Sequence, residues 1–188
     1  MARRLARRAV WCALAFGLFW LLPRAEAAKA DAHALKAAYL HRFIEYIQWP
    51  AGTPTNRILI GILDFEPYRS LIEAHHTETR DPGSPPVEFI DVDTPKDALA
   101  CHMVFINTQD KAELSFFLET LNHAPVLVVS DIKTGARAGA AISFFNADGK
   151  VRFIINQAAA ERVNLTISSR LLRLGRVVNG TSGEEEKP

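Results

Sequence analysis

The chain has 188 residues, 48% of them hydrophobic and 23% charged, with 22 basic and 21 acidic side chains and a formal net charge of +1. That balance excludes a disordered polyelectrolyte and a collagen-like fibre, and the length suits one domain. Two cysteines, Cys12 and Cys101, are too few for a disulfide framework.

The N-terminus reads as a secretory signal peptide. Arg3, Arg4, Arg7 and Arg8 form a cationic start, Val10–Leu22 is apolar, and Ala25-Glu26-Ala27 places small residues at both cleavage positions. The apolar run is 13 residues long, short of the ~20 a membrane-spanning helix needs. An uncleaved anchor is the rival reading. No small-residue-plus-Cys lipobox follows, which argues against a lipoprotein. Cleavage after Ala27 leaves 161 residues and removes five basic side chains and one acidic one, so 17 basic and 20 acidic remain and the net charge becomes −3. Nucleic acid is a poor partner for that balance. The mature chain keeps Cys101 alone and forms no internal disulfide. The expected organisation is a signal peptide over 1–27, one domain over 28–179, and a solvated acidic tail over 180–188 that carries Glu184, Glu185 and Glu186.

Asp31–Gln48 is predicted as a long amphipathic helix with Leu35, Tyr39, Phe43, Tyr46 and Ile47 on one face. Trp49-Pro50 ends it, because the residue before proline is pushed out of the helical region. Arg57–Leu63 is a near-continuous apolar run, as expected of a strand covered on both faces. A short helix over Pro67–His75, a loop over Thr77–Pro86, a strand over Val87–Val92 and a helical turn over Thr94–Ala100 follow. His102–Ile106 and Val126–Ser130 read as further strands, with a helix over Asp110–Leu121 between them. Strands alternating with helices predict βαβ units and a mostly parallel sheet.

The C-terminal part changes pattern. Ala140–Asn146 and Val151–Asn156 flank Asp148-Gly149, a hairpin signal because both residues tolerate positive φ. Asn156 is placed to cap a helix over Gln157–Arg162, and Asn164 to close it in the left-handed conformation. A last helix is predicted from Ser168, with Ile167, Leu171, Leu174 and Val178 on one face and Arg170, Arg173 and Arg176 elsewhere. The fold class is therefore α/β: a three-layer sandwich with a mostly parallel sheet, an added antiparallel hairpin, and helices on both faces.

Catalytic patterns are scarce. No histidine pair has the i, i+4 spacing of a zinc helix, and His75-His76 reads as a helix end. The glycines of Gly135–Gly139 precede a strand, whereas a phosphate loop follows one and opens a helix. No metal or cofactor is expected. Asp64, Asn107 and Asp131 each follow a predicted parallel strand, where doubly wound sheets place ligands. They either converge on a small-molecule pocket or simply cap the elements that follow. The three arginines of the last segment read as a solvated face, partners for Glu161, or a docking surface.

Three blocks resemble the YfiR family of periplasmic proteins. They are Leu35-Lys36-Ala37-Ala38-Tyr39-Leu40 through Phe43 to Trp49-Pro50, then Pro125–Asp131, then Ile142 through Phe153-Ile154-Ile155-Asn156 to Leu174. The resemblance implies a non-enzymatic periplasmic regulator with an α/β sandwich fold, often a homodimer. It would bind the sensor domain of an inner-membrane GGDEF diguanylate cyclase, hold that enzyme inactive and lower biofilm formation. Carried onto this chain, the partner-facing positions are Glu161 and Ile167, with Arg162 and Leu165 close by. Relatives that tune repression through disulfides differ from this chain, which has only Cys101 in its mature part. A periplasmic small-molecule-binding module feeding another membrane sensor is the alternative function.

Overall fold

The structure, a computed structural model, describes residues 22–66, 68–75 and 85–178. Residues 1–21, which hold most of the expected signal peptide over 1–27, together with His76, most of the Thr77–Pro86 loop and the expected acidic tail lie outside the described residues. Helix α1 (Leu22–Ile44) is followed by β1 (Ile47–Gln48), β2 (Ile58–Leu63), α2 (Tyr68–His75), β3 (Val87–Asp91), α3 (Pro95–Ala98) and β4 (Met103–Ile106). Then come α4 (Lys111–Thr120), β5 (Leu127–Ser130), α5 (Gly135–Ala138), β6 (Ile142–Ala147), β7 (Lys150–Asn156), α6 (Gln157–Arg162), β8 (Thr166–Ile167), α7 (Ser169–Leu172) and β9 (Arg176–Val178).

Seven strands form one sheet in the order β3-β2-β4-β5-β6-β7-β9. Its first five strands are parallel, β7 runs antiparallel to β6, and β9 runs parallel to β7. The parallel part has the doubly wound order 2-1-3-4-5. Alternation along β4 shows why the strand sequences are apolar throughout. Met103 and Phe105 enter one core with Leu40 and Phe43 of α1 and with Tyr68 and Ile72 of α2. Val104 and Ile106 enter a second core with Ala98 of α3 and with Leu114 and Phe117 of α4. Residues i and i+2 line one face of a strand, so a sheet covered on both sides needs apolar side chains at every position.

Polar residues set the element ends. Thr94 and Asp97 make a reciprocal capping box on α3, and the Asp110 and Asn156 side chains cap α4 and α6. The hairpin turn is Asp148-Gly149, at φ 51° and 71°, and Asn164 closes α6 at φ 60°. His102, buried where β4 begins, accepts the Leu59 N–H at Nδ1 (3.1 Å) and lies 2.7 Å from the Pro54 carbonyl through Nε2. Those partners assign the proton to Nε2.

Two expectations are corrected. The first helix stops at Ile44, not Gln48, and Ile47-Gln48 pair with β8 as a separate antiparallel ribbon. Ile47 remains buried on leaving the helix, so the apolar pattern is kept while the backbone changes state. The helix that begins at Ser169 ends at Leu172, and Arg176–Val178 join the sheet edge beside β7. A Cβ at Gly175 would lie 2.5 Å from the Phe153 ring. The backbone itself packs on that ring, which takes the chain off a helical path. Leu174 is consequently 68% exposed.

Cys101 sits in the second core. Burial pushes its thiol up to about 11, opposed by a backbone hydrogen bond from Gly61, with Asp97 adding to the rise. The neutral thiol is thus favoured by the fold. Stability is expected to be flat below the ordinary thiol value of ~8.5 and to fall as pH rises toward about 11. Iodoacetamide at pH 8, followed by mass spectrometry, should modify Cys101 only when denaturant unfolds the protein.

Candidate functional site

The switch point of the sheet lies between β2 and β4, whose helices cover opposite faces. Asp64, Asn107 and Asp131 follow the adjacent strands β2, β4 and β5, so all three stand at one end of the sheet. Asn107 Nδ2 donates to the Asp64 carbonyl at 3.2 Å, and Asp64 holds a left-handed φ of 56°. Asp131 is engaged from above: its carboxylate lies 2.6 Å from Lys36 Nζ, with the two side chains only 15% and 9% exposed. Gln109 Nε2 donates to the Asp131 carbonyl at 3.2 Å.

Tyr68, at the start of α2, completes this end of the sheet. Its side chain is fully buried, and its hydroxyl has no hydrogen-bond partner among the described residues. Burial chiefly, then the negative charges of Asp131 and Asp64, push the phenol pKa far above its ordinary value. The neutral hydroxyl is therefore a hydrogen-bond donor within the negative field of Asp131 and Asp64, with the His33 ring 5.1 Å from its own. This arrangement offers hydrogen bonds and charge. No activated nucleophile stands beside a base in it, and no group of three or more metal-ligating side chains occurs among the described residues.

The second predicted surface divides. Glu161 and Arg162 are exposed at the end of α6, and Glu161 Oε1 accepts from Gln157 Nε2 at 2.7 Å. Leu165 and Ile167 are 1% and 6% exposed and belong to the first core. Neither presents a side chain to a partner. Ile167 is instead the register partner of Ile47 in the β1–β8 ribbon. The reason is the reversal at Asn164, which turns the chain back to pair with β1.

A profile of the YfiR/HmsC-like family matches residues 33–176, nearly the whole of the described domain. The chain belongs to this family. Its members are regulators of cyclic di-GMP signalling in the periplasm. No helix among the described residues is long and apolar enough to cross a membrane. No curated protein matches the chain. Among solved structures it is similar to a conserved domain protein from Vibrio cholerae O1 biovar eltor, at 11% identity and TM-score 0.51, over 79% of this chain and 60% of that one. It is also similar to an ABC domain in complex with L-Trp from Streptococcus pneumonia, at 10% identity and TM-score 0.47, over 64% of this chain and 56% of that one. The first likeness speaks for the fold alone.

Lys36 and Tyr68 were not singled out by sequence reasoning. A signal for Lys36 exists: it shares a stripe with Leu40 and Phe43 at i, i+4 and i+7, so a cation stands on an apolar face. Tyr68 carries no such mark.

Removing one member of a buried ion pair strands the other. Asp131→Ala is expected to lose about 3–5 kcal/mol in urea unfolding, whereas the double variant Lys36→Met/Asp131→Leu recovers most of it. Ile167→Asp places a carboxylate in the core and is expected to abolish the cooperative transition or cost about 4 kcal/mol or more. Soluble, native-like Ile167→Asp protein by near-UV circular dichroism would contradict that burial.

Proposed function

We propose that the mature protein is a periplasmic repressor. It binds the periplasmic sensor domain of an inner-membrane GGDEF diguanylate cyclase and holds the enzyme inactive, which lowers cyclic di-GMP and biofilm formation. The observation that carries this reading is the family match across the folded domain. A signal peptide over 1–27 would deliver the domain to the compartment where such a receptor exposes its sensor. The mechanism is a population shift, in which the repressor binds the inactive receptor arrangement more tightly and so increases its share.

The contact is assigned to the exposed end of α6, Glu161 and Arg162. Leu165 and Ile167 act beneath it by fixing where that helix ends. A charged pair on a rigid support gives register and encounter rate, the usual contribution of rim charges.

A second reading draws on Tyr68. An unpartnered buried hydroxyl in the negative field of Asp131 and Asp64 at the switch point favours a small polar ligand there, which would make the domain a ligand-binding module that feeds its receptor.

Deleting the gene is expected to raise cellular cyclic di-GMP several-fold, measured by mass spectrometry of extracts, and the wild-type gene in trans should restore the original level. Unchanged nucleotide after deletion would overturn the repressor reading. For the second reading, Tyr68→Phe decides. A hydroxyl with no ligand leaves the melting temperature of protein purified from the periplasm unchanged or raised, whereas one that holds a co-purified ligand lowers it.

A further inference from the structure

A groove of about 600 Å³ lies at the far edge of the sheet, beside the β6–β7 hairpin and the entry to β9. Strand register explains which groups gather there. Phe145 is the cross-strand partner of Arg152, and Ile154 is the partner of Arg176. Paired residues share a sheet face, as do residues i and i+2 of one strand. Lys150, Arg152 and Arg176 therefore stand on one face beside the half-buried Phe145 ring. Lys150 and Arg152 are exposed, so no helix covers this part of the face. Phe153, with Tyr39 of α1 packed against it, lines the groove from the other face.

Charge is placed unevenly along the chain. Cleaved after Ala27 it has a net charge of −3, yet Val163–Val178 holds Arg170, Arg173 and Arg176 and no carboxylate. Asp148 is the one acidic residue that lines the groove, against three cations. Lys150, Arg152 and Arg173 have no ion-pair partner among the described residues. Between Arg173 and Arg176 the chain leaves Leu174 68% exposed at the mouth of the groove.

These two features together restrict the occupant. A soluble anion or an acidic peptide would use the cations and leave Leu174 in water. An apolar partner would use Leu174 and strand the cations. A bilayer that contains anionic phospholipid uses both, since it is charged at its face and apolar just beneath. Lysine and arginine stems lie along apolar material while their heads stay in the polar layer.

We propose that the groove and its Leu174 lip form a peripheral docking surface for an anionic phospholipid bilayer. Lys150, Arg152 and Arg173 meet headgroup phosphates, and Leu174 enters the layer below them. The proposal goes beyond the repressor reading and needs no receptor, so either can fail without the other.

The test is flotation of protein purified from the periplasm with vesicles of phosphatidylethanolamine and phosphatidylglycerol at about 3:1. The protein should float with them at about 0.05 M salt, leave them at about 0.5 M, and ignore phosphatidylcholine vesicles. Lys150→Gln/Arg152→Gln is expected to lower the partition coefficient about thirtyfold, at about fivefold for each cation removed. Leu174→Ser should lower it about fivefold or more. The control Lys96→Gln/Lys111→Gln makes the same change in net charge at exposed residues outside the groove and should bind like the wild type. Far-UV circular dichroism should be unchanged throughout. Protein that stays out of the anionic vesicles would overturn the proposal, as would equal losses in the two double variants. Leu174→Ser protein that binds unchanged would overturn it too, because cations alone would then suffice. So would binding that appears only after Glu184, Glu185 and Glu186 are changed to Gln, which would assign the groove to the chain's own tail.

Discussion

Helix α1 is fastened to the sheet at two points of unlike chemistry, and most of the structure depends on that attachment. At one point Phe43 stacks on Phe144 with ring centroids 5.9 Å apart and meets the edge of Phe153 at 5.1 Å. At the other, Lys36 reaches down to Asp131 at 2.6 Å. The aromatic contact has little directional demand and supplies burial. The ion pair, nearly excluded from water, tolerates few geometries and fixes where along the sheet the helix lies. Phe144 in turn touches Phe105, and Phe105 touches Tyr68, so the ring series runs from the hairpin to the start of α2.

That attachment also explains what stands at the carboxyl end of the sheet. Doubly wound folds leave a crevice there because helices diverge to opposite faces. In this protein Lys36 crosses toward it and engages Asp131, so α1 helps to cover that end of the sheet. Tyr68 is brought beneath by α2, and its hydroxyl is left without a partner in the negative field of Asp131 and Asp64. A buried donor without a partner costs stability. The fold retains it beside the most polar end of an otherwise apolar sheet.

On the opposite face, α4 and α6 meet over a floor of valine and alanine. Ala138, Gly139, Ala141 and Ala159 line the gap there with groups too small to fill it. The two faces of the sheet are thus put to different ends. One is filled by aromatic rings and sealed by α1; the other keeps a side-chain-sized gap bordered by charge.

Periodicity, turn chemistry and caps determined much of this protein from the sequence by itself. The parallel strands, the Asp148-Gly149 hairpin, the Asn156 cap and the left-handed Asn164 were all legible, because each depends on residues within a few positions of one another. So was the gathering of Asp64, Asn107 and Asp131 at strand ends. Tertiary structure alone decided the rest. Ile47 and Ile167 read as helix faces and pair instead as strands; an apolar residue satisfies the same core from either backbone state, so burial could not choose between them. Leu165 and Ile167 resembled surface anchors, but the reversal at Asn164 carried them into the first core. The partners of Lys36 and Tyr68, and the groove at Arg152, join segments far apart in the chain. No local pattern encodes such meetings, since they exist only after the sheet order has set which elements become neighbours.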